Sequence, residues 1–309
     1  MTGTRMTGMP DHHPLRRTAV AFARHLSLAA VLLLTVGCMT VPDRDGITSF
    51  RQGAATANQQ SQSTFADINT FLRQQQIDRA SQLPTLNESE FFSPLASEDV
   101  AKWNRAFGLI DAYAASLETL LDPARSSDTE TALAELGEKI GTIEGGRLPA
   151  GVAGGFAQLG GLLVQMRAEK EALAAIRKAD PAIQSVFDTM MTAIGEDRDN
   201  GVRAMVATSW GDVLGAIQVE FLTAGGTAAK RDVATRYVGT LDQRDAQDAS
   251  LASLRRSIGL LAAAHRELAA GDPPSARRML DEVQAEYAAY RQRVDALRQQ
   301  DGQSQGSKP

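Results

Sequence analysis

An all-α fold is what this sequence predicts: an antiparallel helical bundle of about six to eight helices, ending in a long helical hairpin. Three observations predict it. Apolar residues recur at alternating steps of three and four along most of the chain, which places them on one helical face. No convincing period-two run bounded by hairpin turns occurs. Alanine is very common while aromatic residues make up 5% of the chain, a composition suited to closely packed helices rather than sheets.

Each element can be read in order. From Phe50 to Leu83 the segments NQQSQS and QQQ interrupt a weak stripe of Phe65, Ile68 and Leu72, and a long, partly exposed helix that meets a partner is expected there. Val100, Trp103, Phe107, Ile110, Ala114, Leu117 and Leu121 form a stronger stripe. Ser97, with Glu98 and Asp99 behind it, reads as its N-terminal cap. Leu133, Leu136, Ile140 and Ile143 continue the pattern behind Asp128. Asp180-Pro181 reads as the start of another helix, with proline at the first helical position, where its missing N–H costs nothing. Ile183, Phe187, Met190 and Ile194 are its stripe, and Val202, Val206, Trp210, Val213, Ile217 and Phe221 are the next.

The last unit is the clearest. Leu251, Leu254, Ile258, Leu261, His265 and Leu268 keep the spacing up to Gly271, Asp272-Pro273-Pro274 breaks the chain, and Leu280, Val283, Tyr287, Tyr290, Val294 and Leu297 resume it. Two stripes across a short breaker fold back as an antiparallel pair. The stretch is similar to a single tetratricopeptide hairpin, but no 34-residue period recurs and no repeat array is expected. His265 lies on this seam near a helix end, where packing or capping is its expected role, with a catalytic or pH-sensing role as the alternative. Tyr287 and Tyr290 are expected on the seam as well.

The first 37 residues follow another logic. Four arginines stand against one aspartate, and the uncharged run from Leu26 to Val36 follows them. A basic stretch, a short apolar core and a small residue are the parts of a secretory signal. The core falls short of the roughly 20 residues a membrane span needs. It ends in Leu34-Thr35-Val36-Gly37-Cys38, which resembles the lipobox of bacterial lipoproteins. That resemblance implies cleavage between Gly37 and Cys38 and acylation of the cysteine by diacylglycerol, with a further chain (palmitate is typical) on the new amino terminus. Several chains anchor stably because each buried methylene contributes about 0.8 kcal/mol. Met39, where lipoproteins of the inner membrane often carry Asp, implies an outer-membrane, periplasm-facing location. Cys38 is the one cysteine of the chain, so no second thiol can mispair in an oxidising compartment.

Composition removes several functions. The chain is acidic, net −5, and more so once the leader's arginines are gone, so nucleic acid is not an expected partner. Beyond residue 37, His265 is the single histidine. Zinc sites built on His and Cys, two-histidine protease motifs and cysteine nucleophiles are therefore excluded, and no metal or cofactor is expected beyond the covalent lipid on Cys38. No G-x-S-x-G elbow presents a serine. The segment EGGRLPAGVAGGFAQLGGLLVQM (144–166) has seven glycines but no G-K-[ST] ending, so it is not a phosphate loop. It reads as a flexible joint leading into a tightly packed internal helix. Its small residues Gly151, Gly155, Ala157 and Gly161 are also a candidate oligomer or membrane face.

The expected organisation is a signal peptide (1–37), a lipidated tether (38–49), an N-terminal helical region (50–143), a Gly-rich joint (144–155), a C-terminal helical region with the terminal hairpin (156–300) and a disordered tail (301–309). The expected function is a non-catalytic scaffold, adapter or accessory subunit of an envelope complex, tethered to the membrane and binding a protein partner. Two alternatives stand beside it. One is a carboxylate-dependent cell-wall enzyme using acids such as Glu88, Glu90 or Glu118, although the signature of helical lytic transglycosylases is absent. The other is a membrane-active oligomer built on the Gly-rich segment.

Overall fold

The computed structural model describes residues 44–81, 83–121, 135, 137, 138, 140, 148, 149, 151–166 and 172–306. Among them are seven α-helices, one short 3-10 turn and no strand: α1 (Arg44–Ala80), the turn Glu88–Glu90, α2 (Ser97–Leu120), α3 (Val152–Met166), α4 (Ala172–Ile194), α5 (Gly201–Thr223), α6 (Gly226–Ala270) and α7 (Pro273–Gly306). Cys38, Gly37 and the leader lie outside the described residues, as do Leu133, Leu136 and Ile143. Ile140 is helical and buried.

The terminal hairpin forms where the breaker sits. Gly271 adopts φ 85°, and the amides of Gly271 and Asp272 bond back to the carbonyls of Leu268 (3.1 Å) and Glu267 (2.9 Å). This left-handed turn, which glycine enters without a Cβ penalty, closes α6. Asp272 then opens α7: its Oδ1 accepts the Ser275 amide at 3.2 Å and its Oδ2 the Ser275 hydroxyl at 2.6 Å, with Pro273 first in the helix.

Helix α6 is the hub, packing against α1, α4, α5 and α7. Its buried seam recurs every seven residues at Val233, Thr240, Gln247, Leu254, Leu261 and Leu268, the period of supercoiled helices. Helix α1 runs antiparallel to it. Gly46 approaches Leu268 and Pro273, Gly53 approaches Leu261 and Leu280, and Gln75 bonds to Gln243. Helix α2 returns along α1, pairing Phe65 with Trp103 at one end and Arg51 with Asp111 at the other. Helix α3 packs on α4, and α4 on α6.

Several expectations need correction. The segment 38–49 is not a plain tether, because α1 begins at Arg44 and Ile47 is fully buried. Nor is α1 a peripheral helix interrupted by polar residues. Gln60 and Ser61, inside NQQSQS, are buried at its centre, where Gln60 donates to Ser253 Oγ (3.1 Å) and accepts from Ser257 Oγ (2.7 Å). Ser97 is the first helical residue of α2 rather than its cap; the cap position is Ala96, with no side-chain bond. Pro181 lies within α4 instead of opening it. An internal proline costs about 3 kcal/mol, but it is set among Ala179, Ala182, Ile183 and Val186, all buried in the core, and that packing holds the helix through it. The joint ends at Gly151, where φ is 82°, and Val152 already begins α3. At the other terminus α7 continues to Gly306, so most of the expected tail is helical.

Candidate functional site

Two places in the bundle gather polar chemistry. The first is closed. His265 has no exposed surface, and its two ring nitrogens face side chains from two other helices. Nε2 is 2.8 Å from the hydroxyl of Tyr113 on α2, and Nδ1 is 2.8 Å from Asp180 Oδ1 on α4. The edge of Phe50 on α1 completes the surround at 5.5 Å between ring centres. Asp180 also accepts from Gln184 Nε2 at 2.9 Å, and Gln184 in turn takes a bond from Arg266.

Charge assigns the protons. Burial pushes the imidazole below its usual value, against the opposing hydrogen bond and charge of Asp180. Burial favours the neutral acid at Asp180, but the hydrogen bonds from His265 and Gln184 outweigh it, and the carboxyl sits below its ordinary range. Tyr113 is raised far above its ordinary value, by burial first and then by the charge of Asp180. The arrangement is therefore a neutral imidazole that donates from Nδ1–H to a carboxylate and accepts the tyrosine O–H at Nε2. Every polar atom of the ring is satisfied, and neither Tyr113 nor His265 reaches solvent. The relay ties three helices together. Its nitrogens meet side chains, not helix-end carbonyls, so His265 is not a cap.

The second place is open. At the end of the bundle away from Arg44, the C-terminal half of α1 and the α5–α6 hairpin stand apart. They enclose an inner chamber of about 110 Å³ and a wider groove of about 1140 Å³, which share Gln75, Asp78, Glu220 and Arg236. The reason lies in the seam of α6. From Leu251 onward Leu251, Leu254, Ile258, Leu261 and Leu268 supply the apolar area that closes the seam, whereas Thr240 and Gln247 offer little to drive the same approach. Gln247 instead accepts the indole N–H of Trp210 at 2.7 Å and holds α5. Phe92, in the chamber wall, is 51% exposed.

Neither a protein-family model, nor a curated protein, nor a solved structure matches this chain.

The residues singled out from sequence are scattered. Gly155 is buried against α4, where an added Cβ would meet Val186 Cγ2 at 2.8 Å. Gly151 sits in the turn before α3, while Ala157 and Gly161 are exposed. These four do not share one face. Glu118 accepts from Thr48 (2.8 Å) and Arg51 (3.1 Å) near the start of α1, whereas Glu90 stands by the chamber beside Gln76 and Arg79. Residues 51 and 76 are about 37 Å apart along α1 at 1.5 Å per residue, so these acids do not form a pair. Among the described residues no three His, Cys, Asp or Glu side chains converge on a metal position, and no helix is long and apolar enough to cross a membrane. Tyr113, Asp180 and the cleft were missed from sequence. The polar residues at seven-residue spacing on α6 were the available signal for the cleft.

Proposed function

We propose that this chain is a lipid-anchored lipoprotein of the outer membrane, facing the periplasm, that acts as a non-catalytic helical adapter or accessory subunit of an envelope complex. The lipobox-like stretch ending at Gly37-Cys38 supports the anchor. One structural observation carries the adapter reading: α1 begins six residues after Cys38 and runs unbroken for 37 residues, with the open cleft at its far end. At 1.5 Å per residue that is a rod of about 55 Å. A long helix that starts within a few residues of the proposed acylated cysteine and ends at an open cleft suits a protein that holds a partner away from a membrane.

Crosslinking in cells tests this reading, with Cys38→Ala as the unanchored control. One discrete envelope complex, lost or weakened in the control, is the expected result. Full complementation by soluble Cys38→Ala protein would remove the tethering half of the proposal, and recovery of no specific partner would remove the adapter half.

A further inference from the structure

The cleft carries more than shape. Two of its carboxylates are paired within the protein, Asp67 with Arg298 at 2.7 Å and Glu220 with Arg236. Asp78, Glu90, Asp212 and Asp232 line the same space, and Arg79 is the one further cation among the lining residues. The walls are therefore acidic in excess. Gln76 adds an independent feature. Its side chain is nine-tenths buried, its Nε2 donates to the carbonyl of Phe92 at 2.7 Å, and its Oε1 has no partner although it lies in the chamber wall. A buried acceptor left unpaired costs about 1–3 kcal/mol, so the wall carries an unmet acceptor close to its carboxylates. Apolar side chains line the same space: Phe71, Leu72, Phe92, Val213, Ile217 and Val233.

Acidic walls and an apolar lining together specify an occupant. We propose that the cleft docks a cationic amphipathic helix of a partner polypeptide, with its Lys or Arg side chains against Asp78, Asp212 and Asp232 and its apolar stripe on Phe71, Phe92 and Val233. The mode is a helix laid into a groove. A helix of about 5 Å radius displaces roughly 120 Å³ per residue, so the wider groove takes about ten residues, just under three turns. This inference rests on the adapter reading and names the partner chemistry that reading needs. An anionic membrane surface is disfavoured, because the cleft would repel it.

The test uses the full chain carrying Cys38→Ala and a labelled synthetic helix of leucine and lysine in amphipathic order, read by fluorescence anisotropy. A leucine–glutamate helix is the counterpart. Saturable binding of the lysine helix alone is expected, weakening with added salt. The triple variant Asp78→Asn, Asp212→Asn, Asp232→Asn should bind about tenfold more weakly, equivalent to about 1.4 kcal/mol. A charge-matched triple away from the cleft, Asp188→Asn, Asp281→Asn, Glu282→Gln, should stay within about twofold of the parent, and unchanged helical circular dichroism in both triples verifies folding. Equal binding of the glutamate helix, or equal weakening by the distant triple, overturns the proposal. So does sedimentation of the chain with anionic vesicles without peptide binding, or a dimer that the cleft triple abolishes, which would make the occupant a lipid surface or a second copy. If cells yield a crosslinked partner that the cleft triple retains, the cleft assignment falls and the adapter reading stands. If the helix binds as expected but cells yield no partner, the adapter reading falls alone.

Discussion

Tyr113 and His265 are 152 residues apart in sequence and 2.8 Å apart at the phenolic oxygen and Nε2. That bond joins α2 to α6 inside a region without water-exposed surface on either ring, so its removal leaves a buried acceptor with no donor. Tyr113→Phe should destabilise the bundle by about 1–3 kcal/mol, measured by urea unfolding. A loss under about 0.5 kcal/mol would show that the hydroxyl contributes no more than an average solvent-exchanged bond.

The same relay sets a pH dependence. Burial holds His265 below its ordinary value in the folded protein, while the unfolded chain protonates it near pH 6.5. Between those two points the unfolded state binds more protons, so stability rises with pH there. It should be fully present above about pH 7 and fall as pH drops through about 6.5. Asp180, held below its usual range in the fold, adds a second decline below about pH 4. Unfolding free energies collected from pH 5 to 8 should slope in the parent and lie flat in His265→Gln across the first window. A slope of opposite sign would mean the imidazole is charged in the fold.

Gly155 and Gly161 give a paired test of how α3 is used. Gly155→Ala places a Cβ 2.8 Å from Val186 Cγ2 and 3.1 Å from its backbone nitrogen, and overpacking of that kind costs about 1–3 kcal/mol. Gly161→Ala meets nothing within 4 Å and should stabilise by up to about 1 kcal/mol through helix propensity. Thermal melts of the two variants should move in opposite directions. If Gly161→Ala also lowers the melting temperature or changes the oligomeric state, its open face is occupied in solution.

Asp272 and Gly271 hold the hairpin turn. Asp272→Ala removes the acceptor for the Ser275 amide and should cost about 1 kcal/mol, as loss of a helix N-cap does. Gly271→Ala must adopt φ near 85° and should cost about 1–2 kcal/mol from the clash of its Cβ. Together they should add to within about 0.5 kcal/mol only if the two act separately. A larger combined loss in unfolding experiments would show that turn and cap form as one unit.

The hairpin was legible because its signals are local: glycine, aspartate and proline act on neighbours three residues away. Apolar stripes were legible for the same reason, and most fall on buried faces. Pro181 misled because its usual meaning is also local, while the packing of α4 against α6 overrides it. The relay was illegible in principle, since Asp180 and Tyr113 approach His265 only after three helices are assembled. NQQSQS on α1 was misread as an exposed interruption because Gln60 finds its partners, Ser253 and Ser257, nearly two hundred residues away. The cleft left a trace in Thr240 and Gln247, which keep the seven-residue beat of the seam with polar side chains, but a search for apolar periodicity passes over them.

That change of side chains along α6 divides one continuous helix into two mechanical halves. Toward Ala270, Leu254, Ile258 and Leu261 are clamped on several sides, and their amides should open only with the whole molecule. Toward Gly226 the same backbone is held chiefly by α5, with solvent along its other flank, so it can fray and reclose without disturbing the clamped half. Hydrogen–deuterium exchange should therefore find a step in protection within a single rod, near Gln247, where no break in the backbone marks it.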